Sequence, residues 1–246
     1  MPASPFVQHA SWIWSEEGSH GAPRPDASTP SHYQVRYFRR TFELADVSGV
    51  ALHVAVSADS RYLFFCNGVF VGRGPAKGDV NHHFYDSYEL TPRLRPGVNV
   101  VAALVLDMSR VAHRPAFLGA PCSVMTSTGG FVVEGLVVAR SGAVLADLQT
   151  DSTWKVAVDR AHRFQNDGTT FEGYHGYFEH RVSRLIPAGW TTPDFDDSAW
   201  SAAHVLYRAE LFDDRRDPAS PYGLLPRMIP PLEESAPQHF PDAFLQ

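Results

Sequence analysis

The 246-residue chain carries 21 Lys and Arg against 27 Asp and Glu, a formal net charge of −6, and 44% of its residues are hydrophobic. That apolar fraction is enough for a proper core, and the length suits one large β domain or one and a half small ones. There is no Lys/Arg stripe of the kind that neutralises phosphates, which argues against nucleic acid as a partner, and no apolar run approaches the ~20 residues of a membrane helix.

The opening stretch MPASPFVQHASWIW has neither a basic n-region nor a continuous apolar h-region. The chain therefore reads as cytoplasmic, with secretion left open if a signal has been removed. After Trp12-Ile13-Trp14 and a loop rich in Gly, Pro and Ser, Tyr33 to Leu44 reads as a strand. Phe38, Phe42 and Leu44 share one face at period two, and Arg40 falls on that face as well, so either a bulge shifts the register or Arg40 is paired. Val50, Leu52, Val54 and Val56 alternate with Ala51, His53 and Ala55, as in a strand with one face in a core.

Asn67-Gly68 lies between two apolar and aromatic runs, which is a strong hairpin signal because a two-residue turn needs positive φ at both central positions. Val100 to Leu106 is apolar on both faces and predicts a central strand. Ser141-Gly142 predicts a second hairpin between 131–139 and 143–148. Asp151-Ser-Thr-Trp154 and Asp197-Ser-Ala-Trp200 repeat the form D-S-x-W, in which the Asp accepts backbone N–H bonds and the Trp folds back onto the sheet. Short strands at this spacing, separated by turn signals and with no helical period, predict an all-β antiparallel sandwich or jelly roll. The run after Leu211 is full of Pro and charge and reads as a connector. The expected division is an accessory sandwich over 8–210 and a connector over 211–246.

Several of these words, in this order, resemble the N-terminal β-sandwich of bacterial α-L-rhamnosidases of glycoside hydrolase family 78. Phe38-Arg-Arg-Thr-Phe-Glu-Leu44 is similar to the family's first sandwich strand, and Ala58-Asp59 through Gly72 to its hairpin with the Asn-Gly tip. Leu94-Arg-Pro-Gly-Val-Asn-Val100 is similar to the run that leads into its next strand. Thr150 to Lys155, Gly189-Trp190, Asp194 to Trp200 and Pro226 to Glu233 follow in the family's order. The resemblance implies a sandwich of the galactose-binding-like type, placed ahead of a downstream catalytic domain. In that family the acid and base sit on a helical barrel further along the chain, and this sequence has no run of amphipathic helices to build one. A non-catalytic accessory role follows, with an autonomous carbohydrate-binding module as the alternative.

The residues themselves offer little catalysis. Asp194, Asp196 and Asp197 lie in a turn-rich segment that suits solvated or capping carboxylates. Gly72-Arg-Gly-Pro-Ala-Lys-Gly78 lacks the Gly-Lys-Ser/Thr order of a phosphate loop and reads as a hairpin exit, with anion binding the lesser reading. His82-His83 and the pair His175/His180 match no metal-ligand spacing, so no metal or other cofactor is expected. Cys66 and Cys122 read as reduced structural thiols.

Sugar contact is the functional reading that survives. Saccharides are held by aromatic faces and planar polar groups, and that mixture occurs in Arg73 to Tyr88 and in Phe164 to His180. Arg73, Asn81, His83, Tyr85, Tyr174 and His175 are the candidate carbohydrate-binding residues, and a rhamnose-containing glycan is the candidate partner. Anchoring of the loops, or docking against a downstream domain, is the competing use of the same side chains. A free-standing hydrolase working through the acidic turn residues is the third reading.

Overall fold

The computed structural model describes residues 9–16, 34–78, 82–107, 129–165, 178–212 and 222–231. In chain order the strands are β1 Ser11–Trp14, β2 Gln34–Leu44, β3 Val50–Asp59, β4 Arg61–Cys66, β5 Val69–Gly74, β6 His83–Glu89, β7 Gly97–Asp107, β8 Gly130–Ala139, β9 Val144–Asp147, β10 Lys155–Val158, β11 His162–Gln165, β12 Phe178–Arg181, β13 Ser201–Ala202, β14 His204–Arg208 and β15 Leu224–Pro226. They form two packed sheets and a separate β11-β12 ribbon. One sheet runs β14-β1-β8-β3-β6-β15, with β9 paired to β8; the other runs β13-β10-β2-β7-β4-β5. The all-β sandwich expected from the turn spacing is the fold observed.

The main core lies between the sheets. Ile13, Trp14, Val54, Val56, Phe131 and Val133 from one meet Phe38, Phe64, Val101, Ala103 and Val105 from the other, with Trp154 closing one side. The D-S-x-W reading holds at its first copy, where Asp151 Oδ1 accepts the Thr153 N–H at 2.7 Å and Trp154 is fully buried. Arg40 is settled by pairing: β2 and β7 stay in register over all eleven residues, and the Arg40 guanidinium donates to the Thr153 carbonyl at 3.3 Å.

The Asn-Gly hairpin forms as expected, with φ of 49° at Asn67 and 83° at Gly68. Asn67 does more than make the turn. Its amide nitrogen donates to the Arg93 carbonyl and to Asn99 Oδ1, both at 2.8 Å, and its oxygen accepts the Val100 N–H at 2.9 Å. Asn99 in turn holds Arg95 and Gly97. Thus the hairpin tip and the Leu94-Arg-Pro-Gly97 turn are one hydrogen-bonded unit.

The expected connector is corrected in part. Tyr222 and Leu224 are fully buried, and β15 adds to β6 in parallel at the sheet edge. Tyr222 donates its hydroxyl to Asp59 Oδ2 at 2.8 Å and packs on Trp12 and His83 in a second core on the outer face of that sheet. Leu211 bridges Leu224, so a boundary at 210/211 would cut through packed structure. A three-residue strand ending in proline is too short to show a period, and proline is tolerated there because the strand lies at an edge.

Candidate functional site

Strand alternation sends every second residue of β2, β7, β4 and β5 to the face turned away from the main core. The register aligns these residues in cross-strand rows. Val35, Leu106 and Arg61 form one, Tyr37, Leu104, Leu63 and Arg73 the next, and Arg39, Ala102, Phe65 and Phe70 a third. A bulge between Phe64 and Phe65 shifts β5 by one residue, which brings Phe70 and Arg73 to the same face. The Arg73 guanidinium then lies 5.7 Å from the Phe70 ring centre.

Half of this outer face is roofed by residues 186–200. Trp190 packs edge-on against Tyr37 and Phe65, and Phe195 and Trp200 complete the cluster. Arg39, fully buried, holds the roof down. Its Nε donates to Asp197 Oδ2 at 2.8 Å, and its terminal nitrogens donate to the carbonyls of Trp190, Thr192 and Phe195. The second D-S-x-W aspartate is therefore an ion-pair partner. Its neighbour Asp196 accepts the Ser198 N–H, which pulls its carboxyl below the usual range. Neither arrangement prepares an acid or a base.

The half that this roof leaves open among the described residues is a groove of about 830 Å³. Its floor is the apolar rows, with Leu63, Phe65, Leu104 and Leu106, and Ile186 on the roof side; its rim carries Arg61, Arg73, Lys77, Arg181 and Arg227, with His162 beside them. No carboxylate lines it among the described residues, in a chain of net charge −6.

Two buried carboxylates stand behind the walls. Asp159 accepts the Tyr37 hydroxyl together with the Ala161 and His162 N–H groups and His162 Nδ1. Burial first, then the Asp159 hydrogen bond, keeps Tyr37 well above the ordinary phenol range and so a permanent donor. At the other end Asp86 accepts the Tyr62 hydroxyl and, at 2.6 Å, Arg227 Nη1. Burial raises the Asp86 carboxyl, with the Tyr62 and Arg227 contacts pulling the other way. Gly74 is needed here because a Cβ at that position would collide with Asp86 Oδ2. Thus Gly72 and Gly74 face Phe64 and Tyr62 toward the core while Arg73 between them turns out to the groove.

Of the residues expected to touch sugar, Arg73 is exposed on the groove rim. His83 and Tyr85 are buried, which corrects their assignment. His83 Nε2 meets the Ala58 carbonyl at 3.1 Å, and Tyr85 sits in the second core under Tyr222 and Leu224. They anchor β6. Asn81, Tyr174 and His175 lie outside the described residues. Sequence reasoning missed Arg61, Arg181, Arg227 and Arg39. For Arg39 and Arg61 a signal existed, since each alternates with core aromatics, Phe38 and Tyr62. For Arg181 and Arg227 none did.

Comparison with known proteins agrees with this architecture. Residues 51–220 match the family model described as the alpha-L-rhamnosidase N-terminal domain. An alpha-L-rhamnosidase of Streptomyces avermitilis is 29% identical over 208 residues, spanning 83% of this chain and 15% of that protein. The GH78 family rhamnosidase of Bacillus sp. GL1 superposes with a TM-score of 0.63 at 31% identity, over 91% of this chain and 20% of that one. A Pleurotus ostreatus lectin shares the fold, with a TM-score of 0.53 at 19% identity over 90% of this chain and 46% of the lectin. The chain thus spans about a fifth or less of the rhamnosidases it matches. With the family model matching well over half of its length, this chain belongs to the α-L-rhamnosidase N-terminal domain family.

Proposed function

We propose that the chain serves as the non-catalytic N-terminal sandwich of an α-L-rhamnosidase-like glycoside hydrolase, packed against or bordering a downstream catalytic domain. The observation that carries the non-catalytic part is the use of its carboxylates. Asp59, Asp86, Asp159, Glu134 and Asp197 are each tied to a structural donor, Tyr222, Arg227, Tyr37, the His9 N–H and Arg39 respectively. The groove offers cations and apolar surface, whereas glycoside hydrolysis needs two carboxyl groups roughly 5–10 Å apart across the scissile bond.

The test is turnover of an aryl α-L-rhamnoside by the 246-residue chain. No hydrolysis above the uncatalysed rate is expected. Turnover that disappears in Asp194→Asn or Asp196→Asn, with thermal unfolding unchanged, would overturn the reading, because both carboxylates are exposed.

A further inference from the structure

We propose that the groove on the outer face of the β13-β10-β2-β7-β4-β5 sheet is a binding site for an acidic saccharide, a sugar residue bearing a carboxylate. It rests on the proposed function in one respect, that a domain of a glycoside hydrolase works beside saccharide.

Three properties point to this ligand. The rim is cationic on both sides: Arg61 and Arg73 rise from β4 and β5, Lys77 from the segment after β5, and Arg181 from the end of β12. Lys77 and Arg181 form no ion pair with any described residue and are exposed. A guanidinium presents a planar fork that matches a carboxylate and distinguishes it from a hydroxyl. The floor is apolar, with Leu63, Leu104, Leu106 and the partly exposed Phe65 ring forming a surface on which the C–H face of a pyranose can lie. A bare inorganic anion would use none of it. The volume, about 830 Å³, lies within the ~300–1,000 Å³ of small-molecule sites.

The groove walls are fixed by buried pairs. Tyr37 and Tyr62 both line the groove, Tyr37 tied to Asp159 and Tyr62 to Asp86, and Arg227 is held at one end by Asp86 at 2.6 Å. Asp86 is thus neutralised within the wall by Arg227, while Arg73, Lys77 and Arg181 are exposed at the rim, an arrangement that favours an anion in the groove.

The test is isothermal titration of the 246-residue chain with trigalacturonate, with its methyl ester as the uncharged counterpart and sodium sulfate as the anion without a sugar. Saturable binding of the acid at millimolar concentration or tighter is expected, weakening with salt, with the ester and sulfate at least about tenfold weaker. Arg73→Gln with Lys77→Gln should weaken the acid at least about tenfold at unchanged thermal stability, since both side chains are exposed. Four results would overturn the proposal: no binding of the acid, equal binding of acid and ester, competition by sulfate at comparable concentration, or an unaltered affinity in the double variant. Rhamnoside turnover by the chain would refute the non-catalytic reading and leave these outcomes as they stand.

Discussion

Replacing Arg39 by methionine removes the guanidinium while keeping an unbranched apolar stem, and it should loosen the roof over the outer sheet face. Arg39 is fully buried and makes four charge-assisted bonds, to Asp197 and to the carbonyls of Trp190, Thr192 and Phe195, with its guanidinium 4.9 Å from the Phe195 ring centre. Bonds to a charged group are worth about 1.5–3 kcal/mol each, but four cannot be summed, because removing the cation also returns its own desolvation penalty. The relevant figure is the loss on breaking a buried charge pair, about 3–5 kcal/mol. Asp197 is 19% exposed and rehydrates in part, which favours the lower end. For a domain of this size 1 kcal/mol moves Tm by about 2–4 °C, so a drop of about 6–20 °C is expected. Arg39→Lys should fall between, since an ammonium keeps the charge but cannot span four acceptors. Urea and thermal unfolding give the magnitude, and hydrogen exchange gives the place, with protection lost first over 186–200. A Tm within about 3 °C of the parent, or unchanged protection of that segment, would refute the assignment of Arg39 as the roof's anchor.

Three further outcomes are expected. Asn67→Gly keeps the positive-φ turn and removes the side-chain bonds to Arg93, Asn99 and Val100, so urea unfolding should report a loss of about 2–4 kcal/mol; a loss below about 0.5 would show that the turn alone matters. Burial pushes the Cys66 thiol up to about 11, against the pull of Arg93, so in a Cys122→Ser background a disulfide reagent at pH 8 should label Cys66 only on unfolding; labelling of the native chain at the unfolded rate would contradict its burial. The Asp86 carboxyl, facing Tyr62 and Arg227, is raised by burial, so the fold holds its proton more tightly than the unfolded chain does. Its contribution to stability is therefore full in acid, below the ordinary carboxylate value of about 3.9, and is lost as pH rises through the folded value; the stability of the parent minus that of Asp86→Asn should fall over that interval, and a flat difference would refute it.

The fold was legible because its signals are local. Asn67-Gly68 and Ser141-Gly142 demand turns through backbone conformation, and Val50, Leu52, Val54 and Val56 declare a face through period two. The outer faces were less legible, for a physical reason. Whether Arg39 is a solvated charge or a buried anchor depends on a segment some 150 positions later, and no local pattern encodes that contact. Tyr222 and Leu224 show the same limit, since a three-residue parallel strand has too few positions for a period. His83 and Tyr85 were misread for the opposite reason. Polar aromatic residues beside a loop look like ligand contacts, yet strand β6 places both against Tyr222 and Trp12.

The two D-S-x-W motifs explain why one sheet has both a closed and an open half on its outer face. The first, at Asp151, closes its own turn and sends Trp154 into the main core, leaving nothing outside. The second, at Asp197, turns its carboxylate to Arg39 and lays Trp200 against Tyr37, so the chain from Ile186 onward becomes a cover and not part of the core. Where that cover stops, at Trp190 and Ile186, the rows of β2, β7, β4 and β5 continue toward Arg73 and Arg61 with no other described residue laid over them. The groove is thus the remainder of a face whose other half is sealed by a single buried arginine. Its position depends on that seal: loosening the roof through Arg39 should widen the apolar floor and lower the affinity for any ligand that bridges the two rims, even though Arg39 itself lines no part of the groove.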